Sequence, residues 1–216
     1  MSTAATPTIQ RRHLRHPVRW LAIVLGLVVA GGLAVMLPRL GQNPSTQVAA
    51  DSPLLGKPAP SFSLREANGG AIVSSATLRG HYSIVYFFAT WCPVCVAEVP
   101  NLVSFYWHWH TRGVELLGIG YDDPAAAEAQ FARQEGISWP LLVDPDGQVA
   151  LHYGIFVIPE TFVVGPGGTV LAKLVGAVGT GQLGAVVERV MNGSTNVSVR
   201  GGAVVPTSAG QRTGSG

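Results

Sequence analysis

Cysteine is nearly missing from this chain. In 216 residues it occurs twice, at Cys92 and Cys95. That scarcity excludes a multi-bridge disulfide scaffold and an all-cysteine zinc site, which needs four thiolates. No second C-x-x-C exists, and Val96 stands where haem attachment requires histidine. Charge is scarce as well: charged residues make up 12% of the chain, and mean hydropathy is +0.32. No acidic residue precedes Pro38, no internal repeat is visible, and no basic patch points to nucleic acid. His108, His110 and His152 have no evident partners and read as surface residues. Asp122 and Asp123 read as a helix start rather than a calcium loop. No metal and no cofactor is assigned.

What is present is "WCPVC", residues 91–95. A purely structural disulfide across so short a loop removes little unfolded-state entropy. Zinc would need two or more further ligands. Reversible dithiol/disulfide exchange needs only two sulfurs able to close on each other, and C-x-x-C beside a βαβ pattern is its signature.

The low charge has its source at the front. Trp20 to Leu37, "WLAIVLGLVVAGGLAVML", is 18 residues without a charge. As a helix rising about 1.5 Å per residue it would extend roughly 27 Å, close to a bilayer's hydrocarbon thickness. Arg11, Arg12, Arg15 and Arg19 precede it and only Arg39 follows nearby, so the N-terminus is expected in the cytoplasm and the remainder outside. A cleaved signal peptide is the alternative. Its apolar region would be about 7–15 residues with a small-residue site next to it, whereas Val48-Ala49-Ala50 lies well beyond this longer run. The expected organisation is a cytoplasmic segment 1–19, a single-pass anchor 20–37, a linker 38–52, a folded domain 53–191 and a disordered tail 192–216. Four of the 14 Lys and Arg precede the span, which leaves 10 against 12 acidic residues after it. Two N-x-S sequons, at Asn192 and Asn196, read as chance in a Ser/Gly-rich tail.

Within the domain, residues 60–78 read as a β-hairpin turning at Asn68-Gly69-Gly70. "YSIVYFFAT", 82–90, is a strand buried on both faces. A helix follows, with Pro93 in its first turn and an inward stripe of Val99, Leu102, Val103 and Tyr106. Residues 113–121 form the next strand. Asp123 and Pro124 then read as N-cap and first residue of a helix stopped by Gly136. "WPLLVD" is a strand, "ETFVV" and "TVLAKLVG" form a hairpin, and a helix covers about 181–191. Strands alternating with helices imply an α/β sandwich around a central sheet.

Cys92 falls at a helix N-terminus, where free amides and the positive end of the dipole favour a thiolate. It is the expected attacking sulfur. Cys95, one turn on and more buried, is the expected resolving one, the two closing as the redox disulfide Cys92–Cys95. Glu98 borders the inward stripe. Spacing alone leaves two readings open: a poorly solvated proton acceptor with a raised pKa, or a first-turn glutamate favoured by the dipole. Trp91 reads as either a shield for the thiol or core. Pro100 should kink the helix. Pro159, in "VIPETF", reads on spacing alone as punctuation before a strand or, less commonly for such prolines, as a cis and functional one.

From about Leu54 to Met191 the chain resembles the membrane-anchored, thioredoxin-like TlpA/ResA/CcmG (DsbE) group. The matching residues are "WCPVC", "AEVP", "GIGYDD" and "YGIFVIPETF" followed by a Gly-rich hairpin. The resemblance implies a thioredoxin-like fold with an N-terminal hairpin and a central insertion at 122–143. It implies that Pro159 is cis and faces the disulfide, that the Ile158 backbone pairs with substrate, and that Trp91 and Pro93 support the site. It gives Glu98 a proton-handling role, makes Glu160 a second acid near the site, and places Pro100 at the helix-kink position. Plain thioredoxins carry a buried aspartate at the offset of Tyr86. A phenol, with an unperturbed pKa of about 10, cannot be that base near neutrality, which leaves Glu98.

The function so implied is an extracytoplasmic reductant of protein disulfides. The client by resemblance is apocytochrome c, whose C-x-x-C-H cysteines must be reduced before haem attaches, and the electron donor is an integral membrane thiol protein. The alternatives are an oxidant or general thiol oxidoreductase using the same residues, and a non-catalytic, membrane-tethered holder of an apocytochrome or a metal. A peroxidase fits less well, because no peroxide-binding constellation is visible.

Overall fold

In a computed structural model of the protein, the described residues are Trp20, 23–28, 52–194, 197–200 and 203–206. Trp20 and residues 23–28 are helical, and the remainder of the expected span 20–37 lies outside the described residues. Among the described residues, no helix is long and apolar enough to cross a membrane. The segments expected as cytoplasmic and linker also fall almost entirely outside them.

The domain begins with a hairpin of β1 (Ser63–Arg65) and β2 (Ile72–Ser74). Gly69 takes the left-handed φ of 78° that its turn requires, and the Asn68 Oδ1 accepts the Gly70 N–H at 2.7 Å. Then come β3 (Tyr82–Phe88), helix α1 (Pro93–His110), β4 (Val114–Tyr121), α2 (Ala125–Glu135), β5 (Leu141–Asp144), α3 (Gln148–Tyr153), β6 (Glu160–Val164), β7 (Val170–Val175) and α4 (Thr180–Met191). Two further strands, β8 (Val197–Arg200) and β9 (Ala203–Pro206), extend the sheet.

The central sheet has the order β5-β4-β3-β6-β7-β8-β9. β3, β4 and β5 run parallel, while β6 is antiparallel to both β3 and β7. The sheet is therefore mixed. Alternation along each strand sorts the core into two layers. Ile84, Tyr86 and Phe88 join one layer with Cys95, Val99 and Leu102 of α1 and Leu183, Val186 and Val187 of α4. Val85 and Phe87 join the other with Tyr153 of α3, Phe162 of β6 and Phe62 of the hairpin segment. Each fully buried side chain of this size contributes about 1.5–3 kcal/mol, so β3, buried on both faces, is the rigid beam from which the C-x-x-C loop projects.

Three sequence readings are corrected. Asp123 does not cap α2: the helix starts at Ala125 with Pro124 at the N-cap, and the Asp123 carboxylate turns instead to Thr90. Residues 148–153, unassigned from sequence, form α3, bounded by left-handed Gly147 and Gly154. The tail, expected to lack structure, carries the β8–β9 hairpin. Val197 and Val199 precede and Val204 and Val205 follow Gly201-Gly202, a two-residue turn signal that the Ser/Gly-rich composition around it obscured. The segment 122–143, expected as an insertion, is occupied by α2 and most of β5.

Candidate redox site

The site is built where β3 ends. Its last residues lead through Ala89 and Thr90 to Trp91, and the Cys92 N–H closes a turn on the Ala89 carbonyl at 3.2 Å. Cys92 is the N-cap of α1, with extended backbone (φ −88°, ψ 109°), and its Sγ accepts the Cys95 N–H at 3.2 Å. Pro93 occupies the first turn, where it forfeits no hydrogen bond. Cys92 and Cys95 form a disulfide, with Cα atoms 5.3 Å apart. Cys92 retains 6% of its exposure and Cys95 none, so the outer sulfur is the accessible one. Helix α1 runs through Pro100 to His110.

Opposite stands the loop before β6. The Ile158–Pro159 peptide is cis, and the Ile158 carbonyl oxygen lies 4.0 Å from Cys92 Sγ. Trp91, Val94, Phe156 and Val157 are exposed, which leaves apolar side chains on the two segments that meet at the sulfur. Trp91 is thus not core.

Glu98 is buried. Its Oε1 accepts the Val178 N–H at 2.7 Å and its Oε2 accepts the Tyr86 hydroxyl at 3.2 Å. Burial pushes its carboxyl up to about 7, against the smaller lowering by those two donors. Tyr86 is driven far above its ordinary range by burial and by the neighbouring Glu98, so it is a fixed donor. Glu98 also lines a groove of about 370 Å³ with Pro93, Val94, Ala97, Asn101 and Val178. A carboxyl whose folded pKa is raised stabilises the fold below its unfolded value, 4.5, and that contribution is lost as pH rises through about 7. Glu98→Gln cannot ionise. Its unfolding free energy should therefore fall less than the parent's between those pH values, and urea unfolding at a series of pH values checks this. Parallel curves would show that Glu98 titrates no differently in the folded and unfolded chains.

Glu160, directly after Pro159, is fully buried and pairs with the equally buried Lys173 on β7 at 2.7 Å. Burial pushes the Glu160 carboxyl up; Lys173 and the backbone amides of Phe156 and Val157 pull it back down. The Lys173 ammonium also lies 5.0 Å from the centre of the Phe156 ring. Glu160 is thus tied to the loop that carries Ile158.

Sequence reasoning did not pick out Lys173 or Glu128, and it read Asp123 only as a helix cap. Lys173 left a signal, a lone cation in an otherwise apolar strand. So did Glu128, through Gly120, since a strand glycine often marks close approach. A Cβ at Gly120 would collide with the Glu128 carboxyl. Asp123 left none beyond its neighbours.

Comparison with known proteins agrees with this geometry. The profile of the AhpC/TSA family matches residues 55–173. The chain is 31% identical over 150 residues to the thiol-disulfide oxidoreductase ResA of Bacillus subtilis (strain 168), covering 68% of this chain and 83% of the relative. It is 34% identical over 163 residues to the thiol:disulfide interchange protein DsbE of Pseudomonas fluorescens biotype C, covering 74% and 86%. Among solved structures, a thiol:disulfide interchange protein of the thioredoxin family from Chlorobium tepidum TLS superimposes with a TM-score of 0.56 at 30% identity, covering 65% of this chain and 97% of that one.

Proposed function

Because the chain belongs to the AhpC/TSA family and its relatives are thiol–disulfide oxidoreductases of the ResA and DsbE type, we propose that it reduces protein disulfides outside the cytoplasm, in cytochrome c maturation. The observation that carries the reading is the position of the C-x-x-C pair. The outer sulfur caps α1 and faces the Ile158 carbonyl, while the inner one is sealed in the core.

In the reduced protein the Cys92 thiolate, favoured by the N-terminal amides of α1, attacks one sulfur of a substrate disulfide. A mixed disulfide forms and the other substrate sulfur departs as a thiolate, which takes up a proton. Glu98, with a pKa near neutrality, accepts the Cys95 proton. Cys95 then attacks Cys92 Sγ, and the substrate leaves as a dithiol. The two electrons gained by the substrate come from the Cys92 and Cys95 thiols, which are left oxidised as their disulfide, and a donor dithiol restores the pair. Trp91, Val94 and Phe156 give the client an apolar seat, and the Ile158 backbone offers it a hydrogen-bonding edge. The apolar run 20–37 would hold the domain at the membrane beside an integral membrane donor, where tethering raises effective concentration. The client would be apocytochrome c, as the family resemblance suggests.

Trapping tests the reading. Cys95→Ala cannot resolve the mixed disulfide, so the client should stay covalently attached to Cys92 and be identified by mass spectrometry. A c-type apocytochrome is the expected catch. A broad sample of secreted proteins would instead make the chain a general oxidoreductase.

A further inference from the structure

The loop that presents Cys92 is held from behind by a residue on neither β3 nor α1. Thr90, two positions before Cys92, donates both its backbone N–H and its hydroxyl to one carboxylate, that of Asp123. The hydroxyl bond is 2.9 Å long. Asp123 is buried and comes from the crossover between β4 and α2, 33 residues along the chain. Asp122 before it takes a left-handed φ of 49°, the only non-glycine with positive φ among the described residues. That conformation is costly for a residue with a Cβ, and it sits in the turn that leads into Asp123.

Both Asp123 oxygens are taken up by Thr90. Three carboxyls meet behind the loop. Asp144 is occupied by the Val149 and Ala150 amides at 3.2 and 2.8 Å. Glu128, on the first turn of α2, is completely buried and neither of its oxygens has a hydrogen-bond partner. Burial first, then Asp123 and Asp144, push its carboxyl up to about 8. Glu128 is thus the one member of the cluster without donors, while Asp123 accepts both bonds from Thr90.

We propose that Asp123 is a positioning residue for disulfide exchange: through Thr90 it fixes the Ala89–Cys92 loop so that Cys92 Sγ is held at the N-terminus of α1. Charged hydrogen bonds of this kind are roughly twice as strong as neutral ones. Without them the loop can move Sγ away from the Cys95 amide, and the thiolate loses the donor that stabilises it. The inference rests on the reading of Cys92 as the attacking thiol.

The test uses the full chain in a Cys95→Ala background, so that one thiol reports. The readouts are the rate of thiol exchange with Ellman's disulfide near neutral pH, the pH dependence of iodoacetamide alkylation, and the melting temperature. Asp123→Ala removes both bonds. It should slow exchange by about tenfold, as misplacement of a reacting atom does, and move the alkylation midpoint to higher pH. Asp123→Asn loses the charge but keeps both contacts, since its amide oxygen can accept the Thr90 N–H and its NH₂ can donate to the hydroxyl. It should stay within about threefold of the parent. Should Asp123→Ala not fold, Thr90→Val removes the hydroxyl bond alone and should slow exchange by about threefold. Parent-like exchange in Asp123→Ala with only a lower melting temperature would overturn the proposal, as would equal slowing in Asp123→Asn, or a parent-like rate in Thr90→Val when that variant is needed. A parent whose thiol reacts like free cysteine would instead refute the reading of Cys92 itself.

Discussion

Cys92→Ser is expected to abolish disulfide exchange while leaving the domain folded. The loss should be on the order of a thousandfold or more, because a hydroxyl does not ionise near neutral pH and cannot form the covalent intermediate. Stability should barely change, for two reasons. Serine is among the preferred N-caps, and its oxygen can accept the Cys95 N–H that Cys92 Sγ accepts now. The lost disulfide spans a sequence separation of only three, so it restrains the unfolded chain little. Insulin reduction and guanidinium unfolding, measured side by side, check both halves. Residual exchange within tenfold of the parent would move the chemistry to another group. Cys92→Ala should be equally inactive but less stable by about 1 kcal/mol, the worth of a cap.

The second large effect is expected far from the sulfurs. Lys173→Met leaves Glu160 buried without its cation, at the head of β6 and directly after the cis peptide. Removing one partner of a buried ion pair costs about 3–5 kcal/mol. The double variant Glu160→Gln/Lys173→Met should recover most of this, since the price of burying charge disappears with both charges. Exchange should slow as well in the single variant, because Lys173 both pairs with Glu160 and packs over Phe156, in the loop that sets Ile158 against Cys92. Unfolding midpoints of the three proteins provide the measurement. A single variant within about 1 kcal/mol of the parent would mean that the pair does not hold this loop.

The parts of the molecule legible in the sequence are those written locally. The apolar run of β3, Pro93 beside Cys92, the glycines of the β1–β2 turn and the stripe on α1 each follow from neighbours in the chain, and each is found where expected. What was not legible depends on distant partners. Glu98 read equally well as a first-turn glutamate until the fold placed Tyr86, 12 residues away, and Val178, 80 residues away, on its two oxygens. Asp123 has the local look of a helix cap; only the parallel pairing of β3 and β4 brings it under Thr90. α3, at six residues, is too short for periodicity to reveal, and it is held by Asp144 and by its place in the second core layer rather than by its own propensity. Lys173 and Glu160 are 13 positions apart and meet only because β6 and β7 pair.

The claim on which the rest depends is that the Cys92–Cys95 couple is a reversible donor of electrons to protein disulfides. Equilibrating the domain with defined ratios of reduced and oxidised glutathione, then quenching in acid and counting free thiols, measures its potential directly. A single two-electron transition with a potential below about −180 mV is the predicted result. A potential well above that value would make the protein an oxidant, and thiols that never equilibrate with glutathione would contradict the redox reading outright.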